Sequence, residues 1–176
     1  SDVCSSDLEN QVFNGVNEAE QELANSPGQL TYARYGLWHY VLPEKKNTDR
    51  YVNLQRSGSS LRGLMRVLLF KRFESSVHAF KETIARLLKG HHRFLEALNH
   101  GIIPAGNEAQ DILNTPGEDF EDASLDALRK ASDQYSASDF NLARLTSDIQ
   151  QDIRLLTQIA SWVETISPEK DAKLQT

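Results

Sequence analysis

The chain holds few groupings of side chains that could make or break a bond. His91 and His92 are adjacent, so on a helix they point about 100° apart and cannot close on one metal from a single face. A zinc site wants histidines four residues apart or a cysteine pair, and Cys4 is the sole cysteine, so no internal disulfide forms either. No Gly-rich phosphate loop ending in Lys-Ser/Thr occurs, and no Gly-x-Ser-x-Gly elbow. Glu18, Glu20 and Glu22 read as the acidic face of a frayed N-terminal helix, not as paired acid and base carboxylates. No residue is assigned to catalysis, to a metal or to a cofactor, and the histidines read as solvated.

What remains is binding chemistry. Lys71 and Arg72 stand beside Ser75 and Ser76. Two cations next to two hydroxyls suit phosphate oxygens, or the acidic residues of an adjoining domain, and Arg can grip an oxyanion with two N–H groups at once. The competing reading pairs Arg72 with Glu74 and uses the serines to cap the next helix. Both are open at this level. Arg86, Lys89 and Arg93 follow at spacings of three and four, so they share one helix face opposite Leu87, Leu88 and Leu95. That face suits a nonspecific track for a nucleic-acid backbone, or is simply solvated. Tyr32, Tyr35, Trp38 and Tyr40 have the ring faces to stack on bases, although such clusters more often anchor a fold.

The elements that must position these residues are helices. Apolar residues recur at three and four, and few segments alternate with a period of two, so the expected fold is all-α, with long antiparallel helices forming a bundle or hairpin. Leu61, Leu64, Met65, Leu68 and Leu69 make one apolar stripe, which the Ser57-Gly58-Ser59-Ser60 turn should start. A stronger stripe of Val77, Phe80, Ile84, Leu87, Leu88, Phe94, Leu95 and Leu98 has Ser75 and Ser76 as candidate caps and Gly101 where a helix end favours a left-handed residue. A breaker at 102–106 and a short helix through Glu108 to Leu113 come next. After an acidic connector and a modest helix around Leu125 and Leu128, a last helix runs from Ser138 as cap through Leu142, Leu145, Ile149, Ile153, Leu156, Ile159, Val163 and Ile166 to Pro168. Whether the aromatic stretch 32–43 is a short helix or an extended segment is not decided by periodicity.

The charge is segregated. The formal net charge of −6 speaks against a phosphate-bearing partner. Residues 31–100, however, carry 13 Lys and Arg against 5 acids, a net of +8, and the rest of the chain carries 6 against 20. A basic block of this size is the electrostatic footprint of a nucleic-acid contact, or of pairing with an acidic helix of the same fold. With 39% hydrophobic and 25% charged residues, and no run approaching the roughly 18 apolar residues of a membrane span, a cytoplasmic protein without a membrane partner is expected.

The first eight residues, SDVCSSDL, have neither the basic nor the apolar region of a signal peptide. They resemble the translation of a sequencing adapter, which makes Cys4 foreign and the chain a fragment. The stretch from Leu61 to Phe80 resembles a block of bacterial Swi/Snf-type helicases of superfamily 2, in particular the large defence-island type that often carries a phospholipase D-like domain. The pattern there is a Leu-rich helix, Leu-Leu-x-Lys-Arg-x-Glu-Ser-Ser, x-x-Ala-Phe and a long basic helix; Leu68, Leu69, Lys71, Arg72, Glu74, Ser75, Ser76, Ala79 and Phe80 match it. Tyr32-Ala33-Arg34-Tyr35, Arg93-Phe94-Leu95, 101–106 and Asp171-Ala172-Lys173-Leu174 agree with it.

The resemblance implies the helical region that links two RecA-like lobes of an ATP-dependent DNA or RNA helicase. It implies that the Walker A and Asp-Glu motifs lie in a lobe upstream and the arginine finger in a lobe downstream, so ATP and Mg belong to the parent protein and this stretch alone does not hydrolyse ATP. The implied partners are DNA or RNA, through Lys71, Arg72, Ser75, Ser76, Arg86, Lys89 and Arg93, and the two lobes of the same chain. The expected divisions are residues 1–8 (adapter), 9–30 (acidic segment), 31–113 (basic helical region), 114–137 (acidic connector and short helix), 138–167 (long amphipathic helix) and 168–176 (lead-in to the second lobe). The alternative is a freestanding α-helical protein-interaction module.

Overall fold

Spacings of three and four become helices almost throughout. The computed structural model describes residues 30–117 and 119–165, without the side chains at 57–62, 66 and 70. Five α-helices result: α1 (Asp49–Ser75), α2 (Val77–Asn99), α3 (Asn107–Leu113), α4 (Asp122–Ala131) and α5 (Leu142–Glu164), with short 3-10 turns at Ala33–Tyr35, Leu37–Tyr40 and Ala137–Asp139. The class is all-α. The aromatic stretch is neither α-helical nor a strand: it coils through two of the 3-10 turns and ends in an isolated antiparallel bridge between Val41 and Phe140. No helix among the described residues is long and apolar enough to cross a membrane. The adapter-like residues 1–8, the acidic face at Glu18, Glu20 and Glu22, Ile166, Pro168 and the lead-in at 171–174 lie outside the described residues.

Two local expectations are corrected. The Ser57-Gly58-Ser59-Ser60 turn does not exist; α1 starts at Asp49 and passes through it. Gly and Ser in a helix interior cost only about 1 kcal/mol or less each, and turns that bury Tyr51 and Leu54 precede them. The apolar stripe on α1 is only partly covered. Leu69 is buried, but Leu64, Val67 and Leu68 are 62%, 46% and 37% exposed. The last helix starts three residues later than expected, with Asn141 and not Ser138 as its cap: the Asn141 side-chain oxygen accepts from the Arg144 N–H at 3.2 Å. Ser138 sits in a 3-10 turn, its hydroxyl 2.8 Å from that of Ser136.

The chain divides into two compact units. Among the described residues the first comprises 30–31, 63–88 and 151–165. Its core is aliphatic and aromatic: Leu69, Phe73, Val77, Phe80, Ile84, Leu87, Leu156 and Val163 are buried. Phe73 meets Phe80 edge to face, centroids 5.2 Å apart, and lies tilted against Trp162 at 6.4 Å. Asp152 is fully buried and both carboxylate oxygens accept from Thr31, from its N–H at 2.7 Å and its hydroxyl at 2.8 Å. That pair pins the start of the described chain to α5.

The second unit comprises 32–62 and 89–150. Its core is formed by Leu37, Tyr40, Val41, Tyr51, Phe94, Leu98, Ile102, Ile103, Leu113, Leu125, Leu128, Phe140, Leu145 and Ile149, and α3 packs on α4. The α2 terminus closes as the sequence suggests. Gly101 has φ +73°, its N–H donates to Leu98 O, and the Ile102 N–H donates to Ala97 O, which is the Schellman pairing that a left-handed glycine permits. Part-buried polar contacts also bind this unit. The Tyr40 hydroxyl donates to Asp148 at 2.6 Å, and the Tyr51 hydroxyl to Asp139 at 2.7 Å. Around the Val41–Phe140 bridge, Leu42 N donates to Asp139 O and Asn141 N to Tyr40 O.

Candidate nucleic-acid interface

Helix α1 ends and α2 begins at Ser76, and this junction positions Lys71 and Arg72 in the first unit. Ser76 is a side-chain cap: its hydroxyl accepts from the Ala79 N–H at 2.9 Å. Ser75 turns back instead, donating to the Lys71 carbonyl one turn earlier at 3.0 Å. Of the two hydroxyls, then, one caps a helix and the other is held to its own. Lys71 and Arg72 are exposed. Among the described residues neither has an ion-pair partner, and Arg72 does not pair with Glu74. Arg86 is exposed in the same unit, with only a long 3.5 Å approach to the Thr83 hydroxyl. In the same unit Lys81 reaches Glu164 at 3.6 Å, and the His78 imidazole stands 3.3 Å from the Glu82 carboxylate.

The other two predicted contacts are spent inside the second unit. Arg93 is buried, which corrects its placement on an exposed face. Its guanidinium donates to the carbonyls of Leu113 (3.1 Å), Thr115 (2.7 Å) and Gly117 (2.8 Å), and it lies 5.2 Å from the centroid of the Phe120 ring. Lys89 is half-buried and also donates to Gly117 O, at 2.9 Å. The cause is the end of α3: the carbonyls at and after its last residue have no helical N–H, and the long cations Lys89 and Arg93, about one turn apart on α2, supply the missing donors. The three-and-four spacing of Arg86, Lys89 and Arg93 puts them on neighbouring positions of one helix but does not make their surroundings equal.

The aromatic stretch anchors the fold. Arg144 lies over the Tyr40 ring at 5.1 Å, Lys46 over Trp38 at 4.4 Å, and Tyr35 meets His91 edge to face at 6.3 Å. His91 is buried, not solvated as expected, while His92 is exposed. Among the described residues no three His, Cys, Asp or Glu side chains converge.

One cluster escaped the sequence reading. Arg34 is buried, with its Nε and Nη2 donating to Gln110 Oε1 at 3.2 and 2.9 Å and Nη2 also donating to Asn114 Oδ1 at 2.8 Å. Nη1 has no acceptor among the described residues. Its acceptors are all neutral, and burial pulls the guanidinium below its ordinary pKa, with the adjacent Tyr35 opposing. Gly90 makes room for it: a Cβ there would stand 2.2 Å from Nη1. The legible signal was Gly90 itself, since an isolated glycine inside an amphipathic helix usually has a packing reason.

No family model, curated protein or solved structure matches the chain.

Proposed function

We propose that the chain is the helical region linking the two RecA-like lobes of an ATP-dependent DNA or RNA helicase of the Swi/Snf type, coupling the lobes and touching the nucleic-acid backbone, its long helices antiparallel in a bundle. The observation that supports this reading is the free pair Lys71 and Arg72, exposed and without ion-pair partners among the described residues, within the string that carries the resemblance. A surface cation with no local partner is available to phosphate oxygens, and Arg86 in the same unit extends the set. Arg93 and Lys89 drop out of it, because their N–H groups are committed to carbonyls. ATP and Mg belong in this reading to the flanking lobes, and no residue described here is assigned to hold them.

The test is Lys71→Ala/Arg72→Ala in the full-length parent protein. Nucleic-acid-stimulated ATPase should fall, basal ATPase should hold, and the slope of log K against log salt should shrink by about 1 per lost phosphate contact. Unchanged stimulation would remove the pair from the interface. A second reading, a freestanding α-helical interaction module, is favoured by the exposed apolar side chains Leu64, Val67 and Leu68. A reading frame extended in both directions separates the two: the helicase reading requires a Walker A motif upstream and an Arg-rich final helicase motif downstream.

A further inference from the structure

The outer face of α1 carries side chains that the first unit does not use. Met65, Leu69 and Phe73 are half-buried or buried, whereas Leu64, Val67, Leu68, Lys71, Arg72 and Ser75 are exposed. Spacings of three and four put these six on one side of the helix, in a stripe about 12 Å long from Leu64 to Arg72, apolar at its start and cationic at its end. A single exposed leucine means little on a surface. Three apolar residues in register beside two cations without ion-pair partners among the described residues define a chemistry that a partner has to match.

Each class of partner meets this stripe differently. A nucleic-acid backbone matches Lys71 and Arg72 but leaves the leucines in water. A lipid surface takes up helices with a wide apolar face, and the remaining apolar face of α1, through Leu69 and Phe73, is already spent in the core. A second copy lacks the charges, since the acids of α1 are Asp49 and Glu74. In a parallel pairing cation meets cation, and in an antiparallel one centred on Leu64 to Leu68 the cations meet positions 60 and 61, which are Ser60 and Leu61. The complement is an amphipathic helix with apolar residues at three and four and carboxylates one turn beyond them. Antiparallel to α1, such a helix sets its first turn over Lys71 and Arg72, where carboxylates also suit its own dipole.

We propose that the outer face of α1 docks an acidic amphipathic helix of a partner protein, antiparallel to α1, with its apolar residues on Leu64, Val67 and Leu68 and its first-turn carboxylates on Lys71 and Arg72. The proposal deepens the interaction-module reading by naming the partner class, and it does not rest on the helicase reading. Such a helix and a nucleic acid compete for the same two cations.

Peptide binding to the full chain, followed by fluorescence anisotropy, tests it. The probe is an N-acetylated peptide of about 16 residues, long enough to cover the stripe, with glutamates in its first turn, leucines following at three and four, and a dye at its C-terminus. Saturable binding is expected, abolished by Leu64→Asp/Leu68→Asp and weakened about tenfold by Lys71→Glu/Arg72→Glu. A peptide with lysines in place of the glutamates should restore binding to the Lys71→Glu/Arg72→Glu chain, a rescue that a misfolded chain cannot give. Arg129→Glu/Lys130→Glu, at exposed positions on α4, should leave binding unchanged. Absence of saturable binding, equal weakening by the α4 pair, or equal binding of a peptide with its glutamates moved to the last turn would overturn the proposal. Binding to phosphatidylglycerol vesicles in place of the peptide, lost in Leu64→Asp/Leu68→Asp, would give the face to a lipid surface; dimerisation lost in the same variant would give it to a second copy. Either result overturns the proposal too. The ATPase test above reads nucleic acid and does not involve the leucines, so the two ideas fail separately.

Discussion

Arg93 and Lys71 come from the same basic block of sequence, yet one lies under three carbonyls in the second unit and the other stands in water in the first. The difference is a supply of acceptors. The second unit contains the break after α3, where Leu113, Thr115 and Gly117 leave carbonyls that no helical N–H reaches, and Lys89, Arg93 and the amide-bound Arg34 work as internal clamps. The described part of the first unit is almost entirely helix and offers its cations no such acceptors. Counting charge along a sequence therefore overstates the free surface charge wherever a helix end lies within reach of a long cation. If the comparison is right, cation removal should hurt stability in one unit and binding in the other.

The largest effect is expected from Arg93→Ala. It removes a buried guanidinium and leaves three carbonyls short of donors, a loss of roughly 3 kcal/mol given 1–3 kcal/mol for each buried group left unsatisfied and partial access of water to this loop. Chemical denaturation should show it plainly, while Lys71→Ala and Arg72→Ala stay within about 0.5 kcal/mol each, as exposed substitutions do. Equal losses at all three positions would break the contrast between the units.

Next in size is Gly90→Ala, whose added carbon would meet Arg34 Nη1 at 2.2 Å. Overpacking of this kind costs about 1–3 kcal/mol. In an Arg34→Ala background the sign should reverse, because alanine is the better helix former by about 1 kcal/mol and the obstacle is gone. A double-mutant cycle with no coupling would show that the guanidinium does not occupy the space above Gly90.

The Tyr51 clamp gives the second unit an alkaline limit. Burial, aided by the hydrogen bond to Asp139, pushes the Tyr51 hydroxyl up to about 12 from its ordinary 10. The folded chain therefore holds this proton more tightly than the unfolded one, so the contribution is complete below about pH 10 and is lost as pH climbs from about 10 toward 12. Thermal midpoints measured upward from about pH 9 should fall more steeply in the wild type than in Tyr51→Phe. Parallel curves would assign the alkaline loss to other groups, Tyr35 and Tyr135 first, since burial raises both.

Strong periodicity made α2 legible, and its left-handed Gly101 with it, because an apolar stripe six turns long outweighs any local signal. The start of α1 was hidden by the opposite case: Ser57 to Ser60 carry a sound turn signal that the surrounding helix overrides. The exposure of its leucines was not legible, because spacing reports which residues share a face and not whether anything covers it. At the candidate site, residue type identified Lys71 and Arg72, but the fate of Arg93 depended on carbonyls 20 to 24 residues away, which no local pattern encodes. The Arg34 cluster was illegible for the same reason, its acceptors lying 76 and 80 residues along the chain.

The smallest contrast lies at the junction that presents the free cations. Ser75 and Ser76 are neighbours of one residue type with opposite roles: Ser76 supplies an acceptor to an N–H that α2 cannot satisfy, whereas Ser75 donates to a Lys71 carbonyl that is already part of a helix. Ser76→Ala should therefore cost about 1 kcal/mol, the usual loss of a cap, and Ser75→Ala close to nothing or a slight gain, since back-bonding to the preceding turn tends to bend a helix. The cap also fixes how α2 leaves α1, so amide hydrogen exchange in Ser76→Ala should rise at Ala79 and its neighbours in the first turn of α2 before it rises elsewhere. Equal losses from the two serines would mean that the hydroxyls act together, as the sequence string first suggested, and would return Ser75 to the set of groups that could meet a phosphate.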